Sequence, residues 1–301
     1  MTKSHLDSRA IILLTVLCIF FGWQQIAIKF TLDGISPLMQ AGLRSLGAAM
    51  LLCGWMRYKK DPILRRDGVA LWGTIAGLLF AAEFLFLYWG LEHTGAGRAT
   101  VFLYTSPFIV ALGAQLFIPG EQLRRIQFIG LLCAFSGIVL AFSDAFGENN
   151  TLFGDLLALA GGIAWGATTV IIKATPLRFE SAPRILLYQL GISGITLPLI
   201  SIGIGEPGII KLDQQTVLAF VFQTVVVAFI CYLSWFWLMR QYPANRMASF
   251  TFLTPLFAVI SAALLLDESI SFNFVGALTL VAVGIYLVNK PKEHVTQTSS
   301  A

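Results

Sequence analysis

The sequence contains few charged residues: Asp, Glu, Lys and Arg make up only 12% of the 301 residues, whereas hydrophobic residues make up 57%. A soluble fold could not bury so many apolar side chains without leaving a large apolar surface. The formal net charge is only +4, and the basic residues are scattered between apolar runs, which is too weak a signal for a nucleic-acid partner. The composition therefore excludes a soluble globular protein and a nucleic-acid-binding protein.

The sequence also has little that could hold a metal ion or perform chemistry. Its three histidines lie near the ends of apolar runs or in the tails, and its four cysteines lie inside apolar runs without C-x-x-C spacing. It contains neither H-E-x-x-H nor the phosphate-binding G-x-x-x-x-G-K-[ST]. We therefore expect no metal, no cofactor, no enzymatic activity and no direct use of ATP.

Apolar runs of about 20 residues, long enough to cross a hydrocarbon core of roughly 30 Å, recur along the whole sequence. Short loops separate them and leave no room for a soluble domain. The sequence predicts an all-α membrane protein with ten transmembrane helices over residues 10–30, 37–57, 68–91, 96–118, 123–143, 151–174, 183–204, 213–239, 244–266 and 272–289.

The distribution of basic residues predicts the orientation of these helices. With the N-terminus in the cytoplasm, only Lys29, Arg98 and Lys211 fall on the opposite side, and Arg44 lies within a helix. The remaining 16 of the 20 Lys and Arg residues are then cytoplasmic, as the positive-inside rule requires. We therefore expect both termini in the cytoplasm.

An internal repeat divides the chain into two halves, residues 1–146 and 147–301. At a shift of 144 residues, Gly22 and Lys29 match Gly166 and Lys173. At a shift of 148, three further pairs match, and a Glu–Gly spacing of 16 recurs in the last helix of each half: Trp89 and Trp237, Arg98 and Arg246, Pro107 and Pro255, Glu121–Gly137 and Glu268–Gly284. Because each half has five helices, the second half enters the membrane from the other side. Such an inverted repeat around a central cavity is typical of alternating access.

These features together resemble the EamA branch of the drug/metabolite transporter superfamily. The resemblance is carried by Gly-Trp in the first helix, a Ser/Thr-Pro step in the fourth and ninth, and the Glu–Gly spacing in the fifth and tenth. It covers the whole chain and implies ten helices in two inverted halves and a central cavity. It also implies export of amino acids or related metabolites, as in YddG-like exporters.

Arg44 and Glu83 are the two charges deep within predicted helices, where an unpaired charge costs at least roughly 2.5 kcal/mol. They lie roughly 10 and 12 Å from the same membrane surface at 1.5 Å per residue, so a salt bridge between them is feasible. In one interpretation this charge pair is purely structural. In the other, Glu83 binds a substrate amine or a coupling proton, and Arg44 holds a carboxylate.

Further polar and aromatic residues within the helices are candidates for the lining of a substrate pocket. Singly, each is as well explained by helix–helix hydrogen bonding or ordinary packing. As a set they indicate a site that could stack on an aromatic substrate or hold a cation. This predicted substrate-binding set is Trp23, Gln24, Gln25, Glu83, Tyr88, Tyr104, Trp165, Thr168, Thr169 and Trp235.

Pro107 and Pro255 lie in the middle of predicted helices at matched positions of the two halves. Each leaves the carbonyl four residues earlier, of Leu103 or Thr251, without its helical donor. We predict that the two prolines are matched hinges, and a plain kink is the alternative. Basic residues at helix ends, such as Lys173 and Arg98, are expected to extend to the membrane interface instead of joining the site.

The sequence thus predicts a secondary transporter of the inner (plasma) membrane that exports amino acids, including aromatic ones, or related small metabolites. Efflux or uptake of other metabolites, drugs or nucleotide-type solutes is the alternative, and a channel is disfavoured by the inverted repeat. The expected partners are a small-molecule substrate and the lipid bilayer. Proton coupling and the choice between monomer and homodimer stay open.

The predicted orientation can be tested by labelling single cysteines with an impermeant thiol reagent. Cysteines in the loop over residues 57–66 should react only from the cytoplasm, and those at residues 148–150 only from outside, because three predicted helices separate the loops. Labelling of both loops from one side would contradict the ten-helix arrangement.

Overall fold

The computed structural model describes residues 6–63, 68–143, 146, 151–266 and 273–290. Glu268 and the proposed labelling positions 64–66 and 148–150 lie outside these residues. The described part of the chain is helical, with a single antiparallel bridge between Ile35 and Ile209. The α-helices are α1 (Ser8–Leu32), α2 (Pro37–Tyr58), α3 (Ala70–Leu91), α4 (Ala96–Leu103), α5 (Ser106–Phe117), α6 (Arg125–Ala141), α7 (Leu152–Ala174), α8 (Ala182–Gly203), α9 (Gln214–Val221), α10 (Tyr232–Gln241), α11 (Ala244–Phe250), α12 (Leu253–Leu266) and α13 (Asn273–Asn289). A 3₁₀ helix covers Pro176–Phe179, and a π-helix covers Phe222–Cys231.

Three predicted helices are interrupted in the structure, whereas the ends of the other seven agree with prediction within about two residues. The predicted helices over 96–118 and 244–266 are divided into α4 and α5 and into α11 and α12, and each second segment carries a proline in its first turn. Proline cannot donate to the carbonyl four residues earlier, so the helix breaks there. The predicted helix over 213–239 instead changes to ten π-helical residues between α9 and α10, in a stretch without proline or glycine.

Seven helical segments of the described chain are long and apolar enough to cross a membrane. The helices α6 and α13 have only 17 residues each, and α2 is long enough but more polar. Large apolar side chains such as Leu199, Ile202 and Leu264 are exposed, as expected of a surface that faces lipid. The all-helical membrane architecture is therefore confirmed, whereas the count of ten transmembrane helices stays a prediction.

Glycines bring neighbouring helix backbones into direct contact. In the pair α6 and α13, a Cβ on Gly130 would lie 2.7 Å from the carbonyl oxygen of Gly284, and one on Gly137 would lie 2.8 Å from that of Ala277. At a shift of 147 residues, Gly130 corresponds to Ala277 and Gly137 to Gly284. Replacing each residue by its counterpart in the other half therefore turns the Gly130–Gly284 contact into the Gly137–Ala277 contact.

The contact between α1 and α12 has a counterpart in the other half, between α7 and α5. Gly22 of α1 packs on Phe257 of α12, where a Cβ would lie 2.9 Å from the Phe257 Cβ. Gly166 of α7 packs on Ile109 of α5, where the same distance would be 2.6 Å. The glycines correspond at a shift of 144 and their partners at 148, so the internal repeat of the sequence is also a repeat of contacts.

The Gly130 contact predicts a contrast between two Gly→Ala variants. Gly130→Ala should destabilise the protein by about 1–3 kcal/mol, because its new methyl group meets backbone atoms of α13 that cannot move independently. Gly191→Ala in α8 is the matched control, since nothing lies within 4 Å of its Cβ position. Thermal unfolding in detergent measures the difference, and equal stability of the two variants would contradict the close α6–α13 contact.

Candidate functional site

Arg44 of α2 and Glu83 of α3 both lie inside the bundle, but they are not bonded to each other. Arg44 is 1% exposed, and its Nε and Nη2 atoms have no hydrogen-bond partner in the described part of the chain. Glu83 is half-buried, and its buried Oε2 atom likewise has no partner among the described residues. Each charge therefore keeps hydrogen-bonding capacity that the protein itself leaves unused.

Aromatic rings partly compensate the Arg44 charge. The Arg44 guanidinium carbon lies 4.8 Å from the ring centroid of Phe84, a cation–π contact of ordinary length. Phe84 stacks in turn on Tyr88, with centroids 6.5 Å apart and ring planes at 27°. Glu83, Tyr88 and Tyr232 all lie within electrostatic reach of Arg44. The charges therefore share one interior region that contains aromatic rings.

Further rings from four other segments extend this region. Tyr232 of α10 lies 5.8 Å from Phe21 of α1 and 6.0 Å from Phe80 of α3. Tyr104 follows α4 and meets Trp165 of α7 edge to face at 5.5 Å. Trp235 of α10 lies 6.1 Å from the Phe21 ring. We call the whole set the central cluster: Phe21, Arg44, Glu83, Phe84, Tyr88, Tyr104, Trp165, Tyr232 and Trp235.

The structure separates the three predicted site residues of the first helix. Gln24 is 6% exposed and lies close to Tyr232, so it joins the edge of the central cluster. Trp23 is 44% exposed, and Gln25 is exposed as well. Successive residues of an α-helix point about 100° apart, so neighbours of an inward-facing residue turn away from the interior. Trp23 instead lines an open apolar groove of about 530 Å³ with residues of α9.

Residues of α5, α7, α10 and α11 form a narrow cleft at the edge of the central cluster. Trp165, Thr169 and Trp235 line it together with Met239 and Met247. Its volume of about 10 Å³ has room for roughly one water molecule, so a substrate could enter only after the helices move apart. Thr168, by contrast, is buried and donates to the Ala164 carbonyl of its own helix at 2.8 Å.

Both predicted hinge prolines are buried at helix breaks. Behind Pro255, the Thr251 carbonyl accepts a hydrogen bond from the Thr254 backbone N–H at 3.0 Å, so a local turn replaces the lost helical donor. Behind Pro107, the Leu103 carbonyl oxygen packs on Gly162 of α7, 2.6 Å from where a Cβ would lie. A hinge role for the two prolines stays a prediction.

The sequence interpretation omitted Tyr232, Phe84 and Phe21 from the site. One signal could have found two of them: at the shift of 148 residues, Phe84 corresponds to Tyr232, just as Glu83 corresponds to Cys231. An aromatic residue therefore follows Glu83 in the first half and its counterpart Cys231 in the second half. Within the described residues, no group of three or more His, Cys, Asp or Glu side chains is arranged to hold a metal ion.

Comparison with known proteins gives matches along nearly the whole chain. The EamA-like transporter family matches residues 8–143 and again residues 152–290. The transporter YvbV of Bacillus subtilis is 27% identical over 94% of this chain and 92% of its own length. An Escherichia coli protein named "Probable amino-acid metabolite efflux pump" is 27% identical over 92% of this chain and 93% of its own. A solved crystal structure has a TM-score of 0.79 at 18% identity and covers 91% of this chain and 94% of that one, which indicates a shared fold.

Substitution of Trp23 in α1 and of Trp165 in α7 tests which of the two side chains contacts the substrate. Trp165→Leu should lower the transport rate at subsaturating substrate about three- to tenfold, because it removes an edge-to-face contact and an interior aromatic surface. Trp23→Leu is the control and should leave transport unchanged, since its ring lies in an exposed groove. Initial rates in proteoliposomes measure both, and a larger loss in Trp23→Leu would contradict the central cluster as the site.

Proposed function

The chain belongs to the EamA-like transporter family, and from this premise we propose that it is a secondary transporter that exports amino acids or related small metabolites. The family and the names of its relatives indicate a membrane transporter and not an enzyme. Since these two relatives are only 27% identical to the chain, the amino-acid metabolites in the name of the Escherichia coli protein suggest a chemical class of substrate only. Efflux or uptake of another amphipathic solute is the alternative.

The unbonded charges of Arg44 and Glu83 carry this proposal. Burying a charge without a partner is costly, and the described residues provide neither a hydrogen bond nor an ion pair between these two. A ligand with a carboxylate and an amine would supply the missing hydrogen bonds of both residues. Its carboxylate would accept from the free guanidinium N–H groups of Arg44, and its amine would donate to Glu83. An α-amino acid carries both groups, and its side chain would lie against the rings of the central cluster.

We also propose ten transmembrane helices in two inverted halves, residues 1–146 and 147–301, with both termini in the cytoplasm of an inner membrane. The exchangeable glycine contacts of α6 with α13, and of α1 with α12 and α5 with α7, support this arrangement. Under this proposal, related contacts would let either half take the other's conformation, as alternating access requires. The narrow cleft beside Trp165 would widen when one half moves.

Glu83 would also be the carboxylate for any proton coupling. A carboxylate that binds a substrate amine and a proton in turn would exchange one for the other during the cycle. In simple facilitated diffusion Glu83 would contact only the amine. The pH dependence of transport distinguishes the two, since only the first requires a proton at Glu83.

Three variants test the role of the charges. Glu83→Gln and Arg44→Gln should each weaken substrate binding about ten- to hundredfold, because each removes a charged hydrogen bond to the ligand. The double variant should stay as weak as the singles or weaker, although no charge is left unbalanced. Binding is measured as ligand-induced thermal stabilisation across amino acids, nucleosides, sugars and cationic dyes, and transport as uptake into proteoliposomes.

A purely structural pair would behave differently in the same experiment. Each single variant would then leave one charge without its counterpart and lose stability, whereas the double variant would regain both stability and transport. Full recovery in the double variant, with the pH profile of the parent protein, would therefore contradict a direct role for Arg44 and Glu83.

A further inference from the structure

Asp155 joins the two halves at one end of the bundle. It lies in the first turn of α7, and its Oδ1 atom accepts from Thr94 Oγ1 at 2.7 Å and from Arg98 Nε at 3.1 Å. Its Oδ2 atom accepts from Arg98 Nη2 and from Thr151 Oγ1. The side chain of Asp155 is only 5% exposed and that of Arg98 13%. We call this set, which connects the start of α4 to the start of α7, the Asp155 latch.

Lys173 joins the halves at the other end of the bundle, where α1 begins and α13 ends. Its Nζ atom donates to Glu121 Oε1 at 2.9 Å and to the Tyr242 carbonyl at 2.6 Å. Glu121 Oε2 in turn accepts from the Ala244 backbone N–H at 2.7 Å. We call this set the Lys173 latch. It contradicts the expectation that Lys173 extends to the interface, because Lys173 is 7% exposed and finds a carboxylate inside the bundle.

The two ends share a hydrogen bond at corresponding positions. The Tyr242 hydroxyl donates to Asp7 Oδ2 at 2.9 Å at the end of the Lys173 latch, as Thr94 donates to Asp155 at the other end. Tyr242 follows Thr94 by 148 residues, and Asp155 follows Asp7 by the same shift. In both contacts a hydroxyl of one half caps a carboxylate that starts the first helix of the other half. The ends of the bundle are therefore closed by related contacts.

Each latch contains a residue of α7, the helix that also contributes Trp165 to the central cluster. Asp155 and Lys173 lie 18 residues apart in α7, or about 27 Å at 1.5 Å per residue, and Trp165 lies between them. A shift of α7 that follows substrate contact at Trp165 would therefore reach both ends. Ion pairs buried to this degree add little net stability after desolvation, and a switching role is a better-attested use of such pairs.

We propose that the Asp155 and Lys173 latches are the two gates of the transporter, and that opening one of them exposes the central cluster to one side of the membrane. This proposal rests on the alternating-access part of the proposed function. It does not depend on the identity of the substrate, because each latch consists only of contacts between parts of this chain.

The gates can be tested without substrate, through the native thiol of Cys231. Cys231 is 2% exposed and belongs to the same buried core as Phe84 and Tyr104 of the central cluster, so its reaction reports access to the interior. In a chain that keeps only this cysteine, the Arg98→Gln/Asp155→Asn double variant should react about tenfold faster with an impermeant thiol reagent from one side. A tenfold change corresponds to about 1.4 kcal/mol of lost closure free energy. The Lys173→Gln/Glu121→Gln variant should show the same increase from the other side.

Double variants are used because each removes both charges of its ion pair together. The matched control is the Arg184→Gln/Glu180→Gln double variant, which removes an ion pair that lies wholly within the second half and should change labelling from neither side. Equal acceleration from both sides, or no acceleration in variants that keep their thermal stability, would contradict the gates. If the variants label from opposite sides while amino acids fail to bind, the gates stand and the substrate proposal fails.

Discussion

Close contact between helix backbones at glycine positions is the constraint on which the structure depends. In a bilayer the lipid is as apolar as the helix surfaces, so helices associate through close packing and polar contacts instead of a hydrophobic driving force. Gly22, Gly130, Gly166 and Gly284 have helix neighbours so close that a methyl group would collide with them. These contacts determine which helices are neighbours, and hence which side chains meet in the interior.

This packing places the two deep charges in an aromatic environment without bonding them to each other. A direct Arg44–Glu83 pair would satisfy both charges and leave little for a ligand to add. In the structure, Phe84 covers the guanidinium, while Nε and Nη2 of Arg44 and Oε2 of Glu83 have no partner among the described residues. The protein therefore carries the cost of leaving these buried polar atoms without hydrogen bonds in this conformation. A zwitterionic ligand would lower that cost on binding, and so couple recognition to the charges.

Much of the fold could be predicted from the sequence, because apolar runs, prolines and charges are local signals. Most helix ends agreed with prediction, and Arg44 and Glu83 stood out as charges within apolar runs. The π-helix before Tyr232 could not be predicted, since no proline or glycine marks it. The sequence also could not predict which way each side chain points. Gln24 faces inward and Trp23 outward, although they are adjacent in the sequence. The burial of Lys173 depends on Glu121, which lies in a different half, and no local pattern reports that contact.

The most direct test of the account is counterflow in proteoliposomes with the purified chain. Vesicles are loaded with an unlabelled amino acid that stabilises the protein, and entry of the labelled compound is followed from a dilute outer solution. A carrier with one interior site that faces the two sides in turn should accumulate label transiently above its equilibrium level, because inner substrate returns the site to the outside. Entry that rises only to equilibrium, at a rate independent of the unlabelled load, would indicate a channel and contradict the alternating-access mechanism.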